Sequence, residues 1–89
     1  MEVSFSDSFK KVFRKRVKST EIEKEFWNRL ELFINDPFDS KLKTHKLSGK
    51  LRSLWSFSIE YDLWVVFYFT NDKTKKAVFV DIGTHDEVY

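Results

Sequence analysis

The fold is decided by residues 55–69, which read WSFSIEYDLWVVFYF. Trp55, Phe57 and Ile59 alternate with polar residues, and this period of two predicts a half-buried β-strand. A short polar turn follows. Residues 63–69 are apolar throughout, as expected of a central strand that is covered on both faces. Two strands joined by so short a turn indicate an antiparallel pair.

A further strand follows this pair. Residues 71–75 read NDKTK and predict a polar turn. In the strand after the turn, Val78, Val80 and Ile82 are expected to line one face. Three strands in a row with short turns indicate an antiparallel meander. Gly83 then frees the backbone to turn, and the last residues are expected to form a mobile end.

The part of the chain before this meander predicts one strand and two helices. Residues 2–5 read as a short first strand, and Ser6 is a good N-cap for a helix over about residues 7–18. Thr20 and Glu23 form a T-x-x-E capping box that begins a second helix. Asn35-Asp36-Pro37 ends this second helix, because proline cannot continue its hydrogen bonding. The apolar stripes of the two helices are Phe9, Val12, Phe13 and Val17, and Ile22, Phe26, Leu30, Phe33 and Ile34.

Residues 38–52 have no steady period and predict a loop, with a short strand or turn near residues 47–49. Both helical stripes need the sheet for burial. The sequence therefore predicts the α+β class: an N-terminal helical hairpin packed on a small, about four-stranded antiparallel sheet.

Length and composition bound the kind of protein. A chain of 89 residues is expected to form a single domain over residues 1–89, and its ten Phe, three Trp and three Tyr supply a dense core. No cysteine is present, which agrees with a reducing, cytoplasmic location. Two histidines cannot complete a structural zinc site, so no metal or cofactor is expected. Neither a signal peptide nor a membrane-spanning run is predicted.

The net charge is only +2, but the charges are segregated along the chain. Residues 8–20 and 41–52 contain basic side chains and no acidic ones, while acidic residues gather between them. This segregation can build a cationic face on a nearly neutral protein. The two basic sets are Lys10, Lys11, Arg14, Lys15, Arg16 and Lys18, and Lys41, Lys43, Lys46, Lys50 and Arg52.

The two histidines fit the metal-free cleavage of RNA, in which the 2′-hydroxyl attacks the adjacent phosphorus. This reaction needs a base for the hydroxyl proton, an acid for the leaving oxygen and cations for the phosphate. His45 lies in the basic loop, and His85 lies near the C-terminus with Tyr89. Each also has a purely structural interpretation: a loop histidine is usually a solvated surface residue, and Tyr89 can simply pack against the sheet.

From residue 45 onward the chain resembles the RelE/ParE superfamily of bacterial toxin–antitoxin modules. Within that superfamily it is most similar to the YafQ-type ribosome-dependent mRNA interferases. An H-x-L-x-G segment paired with a terminal G-T-H-x-x-x-aromatic segment is the most diagnostic feature. The matching segments are residues 45–49 (HKLSG), 54–59 (LWSFSI), 62–68 (DLWVVFY) and 82–89 (IGTHDEVY).

By position, His45 matches the family's loop histidine, His85 its C-terminal histidine, and Tyr89 its C-terminal aromatic residue. Trp64 matches a tryptophan of the YafQ-type branch, where many RelE-like members have a catalytic arginine. Asp62 lies one residue from the position of the branch's active-site acid. Another histidine of the branch has no counterpart, because residues 57–59 read FSI.

The resemblance implies a RelE-like fold and a toxin that enters the ribosomal A site and cleaves mRNA there. It implies His45 as general base, His85 as acid or phosphate stabiliser, and assistance from Asp62. It also implies a tight antitoxin partner. Tyr89 and Trp64 are expected to orient the substrate base, and the cations that bind phosphate or ribosomal RNA are expected to be Lys43, Lys46, Lys50 and Arg52.

Two alternatives stay open at this stage. The first is a ParE-like gyrase inhibitor on the same scaffold, which would need no nuclease chemistry. The second is a catalytically weak relative that acts mainly in an antitoxin-bound repressor complex, an interpretation favoured by the missing histidine. The nuclease hypothesis requires that the imidazoles of His45 and His85 lie on one side of the sheet.

Overall fold

The structure is a computed structural model that describes residues 1–49, 53–70 and 75–88. Three helices and a 3₁₀ turn accompany five strands within these ranges. None of the helices in the described ranges is long and apolar enough to cross a membrane. In chain order the elements are β1 (Glu2–Phe5), α1 (Asp7–Arg16), α2 (Glu21–Asn35), the 3₁₀ turn (Ser40–Leu42), β2 (His45–Lys46), β3 (Trp55–Glu60), β4 (Leu63–Phe69), β5 (Lys76–Gly83) and α3 (His85–Val88).

The five strands that the described residues contain form one sheet in the order β1-β5-β4-β3-β2. Strands β2 to β5 pair antiparallel, as the short turns predict, but β1 pairs parallel to β5, with Val3 opposite Ala77. The expectation of a four-stranded, purely antiparallel sheet was therefore wrong. The β1–β5 pairing joins the two ends of the chain, and no local sequence pattern carries information on such a contact.

The caps of both long helices follow the predicted chemistry. The hydroxyl of Ser6 accepts a hydrogen bond from the Phe9 amide at 3.1 Å, and that of Thr20 accepts one from the Ile22 amide at 3.2 Å. Glu23 closes the capping box one residue further back than expected, on the Ser19 amide at 2.7 Å. Helix α1 ends at Arg16, before residue 18, and is followed by Ser19 with a left-handed φ of 66°.

The loop after α2 contains its short strand earlier than predicted. The strand covers His45–Lys46, before residues 47–49, and the Leu47 amide extends the pairing by one bond of 2.9 Å to the Leu54 carbonyl. Four residues of the predicted turn at 71–75 lie outside the described ranges.

A β-bulge changes which side chains of β5 reach the core. Val66 pairs with Asp81 but Phe67 pairs with Phe79, so Val80 is an extra residue in β5. The expectation that Val78, Val80 and Ile82 share one face was wrong, because the extra residue shifts the alternation. Ile82 instead joins Phe79 on the buried face.

The core lies between this face and the two long helices, and phenylalanine dominates it. Phe33 of α2 is fully buried, and its ring centroid lies 4.9 Å from Phe57, 5.0 Å from Phe67 and 5.4 Å from Phe79. One ring from the helical layer thus contacts β3, β4 and β5 together. Such edge and offset contacts add to the burial of large apolar surfaces.

The other face of β3 is buried as well. Ser56 and Ser58 were expected to be exposed on a half-buried strand, but they are 0% and 7% exposed. Strand β3 lies between β2 and β4, and its serines are flanked by the larger side chains of those neighbours.

We predict that Phe33→Ala lowers the free energy of unfolding by about 3–5 kcal/mol, because it leaves a cavity where three strands meet. Phe38→Ala is the matched control, since Phe38 is 56% exposed. Urea denaturation of both variants measures the difference. Equal losses of stability in the two variants would contradict the central position assigned to Phe33.

Candidate functional site

A concavity of about 390 Å³ opens on the side of the sheet opposite the two long helices. Four of the residues singled out from the sequence line it, namely Lys43, Asp62, Trp64 and His85. Three further lining residues were not singled out: Ser58, Glu60 and Tyr61.

The strand register builds this concavity. Ser58 lies opposite Trp64, and Trp64 lies opposite Gly83. The neighbouring residues in each strand point to the helical side, where Phe57 and Val65 are fully buried. A tryptophan at this point of β4 is therefore directed away from the core and into the concavity.

His45, on β2, contacts Trp64, one of the residues that line the concavity. Its partner in register is Ser56, and its ring packs edge-on against Trp64 with centroids 5.5 Å apart. The Nδ1 atom of His45 lies 3.0 Å from the Lys43 carbonyl. A carbonyl only accepts, so Nδ1 carries the proton in this contact, and the lone pair of the neutral ring resides on Nε2.

His85 reaches the concavity from the other end. It is the first residue of α3, and its backbone amide donates to Asp62 Oδ1 at 3.1 Å. Its Nδ1 atom also lies 3.8 Å from Asp86 Oδ1. Asp62, which has a left-handed φ of 71° in the turn between β3 and β4, thus ties that turn to the residue that carries the second imidazole.

Trp64 therefore connects the two histidines. It contacts the ring of His45 and lines the concavity together with His85. Both histidines accordingly lie on the same side of the sheet.

The remaining sequence-derived candidates lie elsewhere or outside the described ranges. Lys46 pairs with Trp55, so its side chain is directed to the opposite face of β2 from His45. It is exposed and does not line the concavity. Lys50, Arg52 and Tyr89 lie outside the described residues.

Sequence reasoning missed three residues that line the concavity, namely Ser58, Glu60 and Tyr61. Tyr61 is 97% exposed at the rim of the concavity, and the Ser58 hydroxyl donates to the Glu60 carbonyl at 3.1 Å. The Ser56 hydroxyl is buried and has no hydrogen-bond partner in the described parts of the chain. Tyr61 could have been identified from the hairpin pattern, because it lies in the same turn as Asp62 and therefore at the same end of the sheet.

Residues His85–Val88 of the C-terminal segment form the helical turn α3, which contacts the first helix. The Glu87 carboxylate accepts a hydrogen bond from the Thr84 amide at 2.8 Å and forms an ion pair with Arg16 of α1. These two contacts, the Thr84 amide first, lower the pKa of Glu87 below its usual value of 4.5.

Gly83 permits this arrangement by its lack of a side chain. A Cβ atom there would lie 3.1 Å from Glu87 Oε1 and 3.2 Å from a methyl group of Val88. Its backbone φ is not positive, so close approach of α3 explains the glycine better than the turn expected from the sequence.

Comparison with known families gives one match over the whole chain. Residues 1–89 match the family described as the bacterial toxin of type II toxin–antitoxin system, YafQ. Among curated proteins, none matches this chain by sequence.

Solved structures of the same fold include bacterial toxins. YafQ from E. coli strain BL21(DE3) superimposes with a TM-score of 0.74 at 22% identity, covering 99% of this chain and 97% of that one. The E. coli DinJ–YafQ complex gives 0.71 at 22% identity, with coverages of 99% and 97%. A YoeB/ParE toxin from Agrobacterium tumefaciens gives 0.73 at 15% identity, with coverages of 96% and 99%. At these identities the likeness shows a shared fold.

We predict that Glu87→Gln loosens the turn that carries His85. Hydrogen exchange of the Val88 amide, which bonds to the Thr84 carbonyl at 3.1 Å, should become several-fold faster at pH 7. The contacts of the Glu87 carboxylate lower its pKa, so they stabilise the turn fully at pH values above the ordinary pKa of a glutamate. In the wild type this anchoring is lost as the pH falls through the lowered pKa.

The control for this prediction is Asp86→Asn, since Asp86 is fully exposed one residue away. Its exchange rates should match those of the wild type. Equal hydrogen-exchange protection of the Val88 amide in Glu87→Gln and Asp86→Asn would show that the Glu87 carboxylate does not stabilise the turn.

Proposed function

This chain belongs to the YafQ family of toxins from bacterial type II toxin–antitoxin systems, and on that premise we propose that it is a ribosome-dependent, metal-independent endoribonuclease that cleaves mRNA and thereby inhibits translation. The observation that supports this proposal is the position of the two histidines. His45 contacts Trp64, and His85 lines the same concavity as Trp64.

In the proposed reaction, Nε2 of His45 accepts the proton of a 2′-hydroxyl. The oxygen attacks the adjacent phosphorus, and the bond between phosphorus and the 5′-oxygen breaks. His85 donates a proton to the leaving oxygen or stabilises the charged phosphate. The products are a 2′,3′-cyclic phosphate and a 5′-hydroxyl, so atoms and charges balance without a metal ion.

Other residues around the concavity bind and orient the RNA in this proposal. Lys43 contacts the phosphate, and Trp64 positions a base, together with Tyr89 at the C-terminus. Tyr61, exposed at the rim, offers a second stacking surface. Asp62 assists by holding His85, since its carboxylate accepts the His85 amide hydrogen.

Lysine and arginine side chains of the basic segment after His45 bind the ribosome in this proposal. Lys46, Lys50 and Arg52 follow His45 in the basic loop, and contacts of lysine and arginine with phosphates add affinity without sequence information. These residues bind ribosomal RNA when the toxin sits in the A site beside the mRNA.

We also propose a cognate antitoxin as the partner and the cytoplasm as the location. The YafQ protein of E. coli has been solved in a complex with DinJ. A small acidic protein would complement the basic loop of this chain. No small-molecule cofactor is part of the proposal.

We predict that purified protein cuts mRNA on translating ribosomes, and that His45→Ala and His85→Ala each slow cleavage about 100-fold or more, as expected for loss of general acid–base catalysis. Lys24→Ala is the control, because Lys24 is exposed on α2, on the other side of the sheet. Primer extension on ribosome-bound mRNA measures the cleavage.

A gyrase supercoiling assay on the same preparations separates this proposal from a ParE-like activity. Inhibition of gyrase without mRNA cleavage would overturn the proposal. Cleavage that survives both alanine substitutions would overturn the assigned roles of the histidines.

We further predict that the chain, isolated from a strain that carries its native locus, copurifies with a small acidic protein. Charge complementarity makes this association weaker at high salt. Mass spectrometry of the purified complex identifies the partner. Recovery of the chain alone from the native strain would count against an antitoxin.

A further inference from the structure

The rings of His45 and Trp64 meet above a strand that separates them. His45 lies on β2 and Trp64 lies on β4, and β3 runs between these two strands. Neighbouring strands are about 4.8 Å apart, so the backbones of β2 and β4 are separated by roughly twice that distance. The two ring centroids are nevertheless only 5.5 Å apart. Both side chains therefore lean toward each other across β3.

The side chains of β3 beneath this contact are two buried serines. Ser56 lies opposite His45, and Ser58 lies opposite Trp64. Residues directly opposite each other in an antiparallel pair have Cβ atoms about 4.5–5.5 Å apart on the same face of the sheet. The Ser56 hydroxyl is therefore a neighbour of the His45 imidazole.

The two serines differ in their hydrogen bonding. The Ser58 hydroxyl donates to the Glu60 carbonyl at 3.1 Å. The Ser56 hydroxyl is fully buried and makes no hydrogen bond to any residue in the described ranges. An unpaired buried hydroxyl costs stability, and an alanine would occupy the same place on the strand without that cost. The packing of the free protein therefore does not explain why position 56 carries a hydroxyl.

The proposed reaction gives His45 a need for a hydrogen-bond acceptor. Its Nδ1 atom donates to the Lys43 carbonyl at 3.0 Å, so Nε2 is the atom that takes the proton of the 2′-hydroxyl. Once the 2′-oxygen has bonded to phosphorus, that oxygen is a poorer partner for the new Nε2–H. A hydrogen bond from a charged donor is stronger than one from a neutral donor, and the Ser56 oxygen has two lone pairs to accept it.

We propose that Ser56 is a positioning residue for His45. Its hydroxyl oxygen accepts a hydrogen bond from Nε2–H of the imidazolium and holds the charged ring over β3, beside Trp64. Ser56 acts through His45 and not on the RNA, because its side chain is fully buried. The benefit to catalysis rests on the proposed function, whereas the contact between the hydroxyl and the charged ring does not.

Substitutions at position 56 separate the effect of the hydroxyl from the effect of volume. Ser56→Thr keeps the hydroxyl, Ser56→Ala removes it, and Ser56→Val removes it while matching Ser56→Thr in shape. Loss of one hydrogen bond to a charged group should lower kcat for mRNA cleavage about tenfold in Ser56→Ala and Ser56→Val at unchanged KM, whereas Ser56→Thr should stay within about threefold of the wild type. Ser4→Ala is the control for loss of a serine hydroxyl, because β1 lies at the opposite edge of the sheet from β2, and it should leave kcat unchanged.

Nuclear magnetic resonance detects the contact in the absence of RNA. His85→Gln leaves His45 as the single histidine of the chain, so its ring signals need no further assignment. At about pH 5 a histidine ring is ordinarily charged, and the Nε2–H signal of His45 should then be protected from exchange with water. In the same background, Ser56→Thr should keep this protection, and Ser56→Ala and Ser56→Val should lose it.

The stability of Ser56→Ala distinguishes a positioning role from a structural one. Because the hydroxyl is unpaired in the free protein, urea denaturation should find Ser56→Ala at least as stable as the wild type. A less stable Ser56→Ala would show that the hydroxyl serves the core, and this result would overturn the proposal.

Three further results would overturn the proposal. The first is equal protection of the Nε2–H signal with and without the hydroxyl. The second is equal behaviour of Ser56→Thr and Ser56→Val, which would assign the effect to volume. The third is a kcat of Ser56→Ala equal to that of the wild type. If the wild type cuts no mRNA, the proposed function fails, and the exchange of the Nε2–H signal still decides whether Ser56 holds the charged ring.

Discussion

The rest of the structure depends on the alternation of side chains along β4. Val65 and Phe67 are buried against the helical layer, where the ring of Phe33 packs on Phe67. Because successive residues of a strand point to opposite faces, burial of these two places Trp64 on the other side of the sheet. The same alternation thus buries the core residues of β4 and directs Trp64 toward the two histidines. A slip of the register of β4 by one residue would abolish both arrangements.

Two local irregularities adjust this alternation near the candidate site. The extra residue Val80 in β5 returns Ile82 to the core and leaves Gly83 beside Trp64. The bare backbone of Gly83 then allows α3 to pack closely, with Glu87 tied to α1 through Arg16. His85 is therefore positioned by contacts with β5, with the turn at Asp62 and with the first helix, rather than by its neighbours in sequence alone.

The molecule presents two chemically different surfaces on opposite sides of one sheet. The concavity around Trp64 is lined by one imidazole (His85), two acidic side chains (Glu60 and Asp62) and Lys43, and the ring of His45 packs against Trp64 beside it. On the helical side, Trp27 lies in a groove between α1 and α2 that holds aromatic rings under a mostly cationic rim, without an imidazole among its lining residues in the described part of the chain.

The sequence by itself determined the elements whose causes are local. The caps at Ser6 and Thr20, the end of α2 before Pro37 and the apolar run of β4 each follow from neighbouring residues, and each lies where it was predicted, within two residues. The motif segments likewise identified His45, Trp64 and His85 as candidates. Only the tertiary structure decided the parallel pairing of β1 with β5, the bulge at Val80, the face of Lys46 and the inclusion of Tyr61 in the concavity. These features arise from contacts between residues far apart in the chain or from a register shift of one residue, and neither leaves a periodic signal in the sequence.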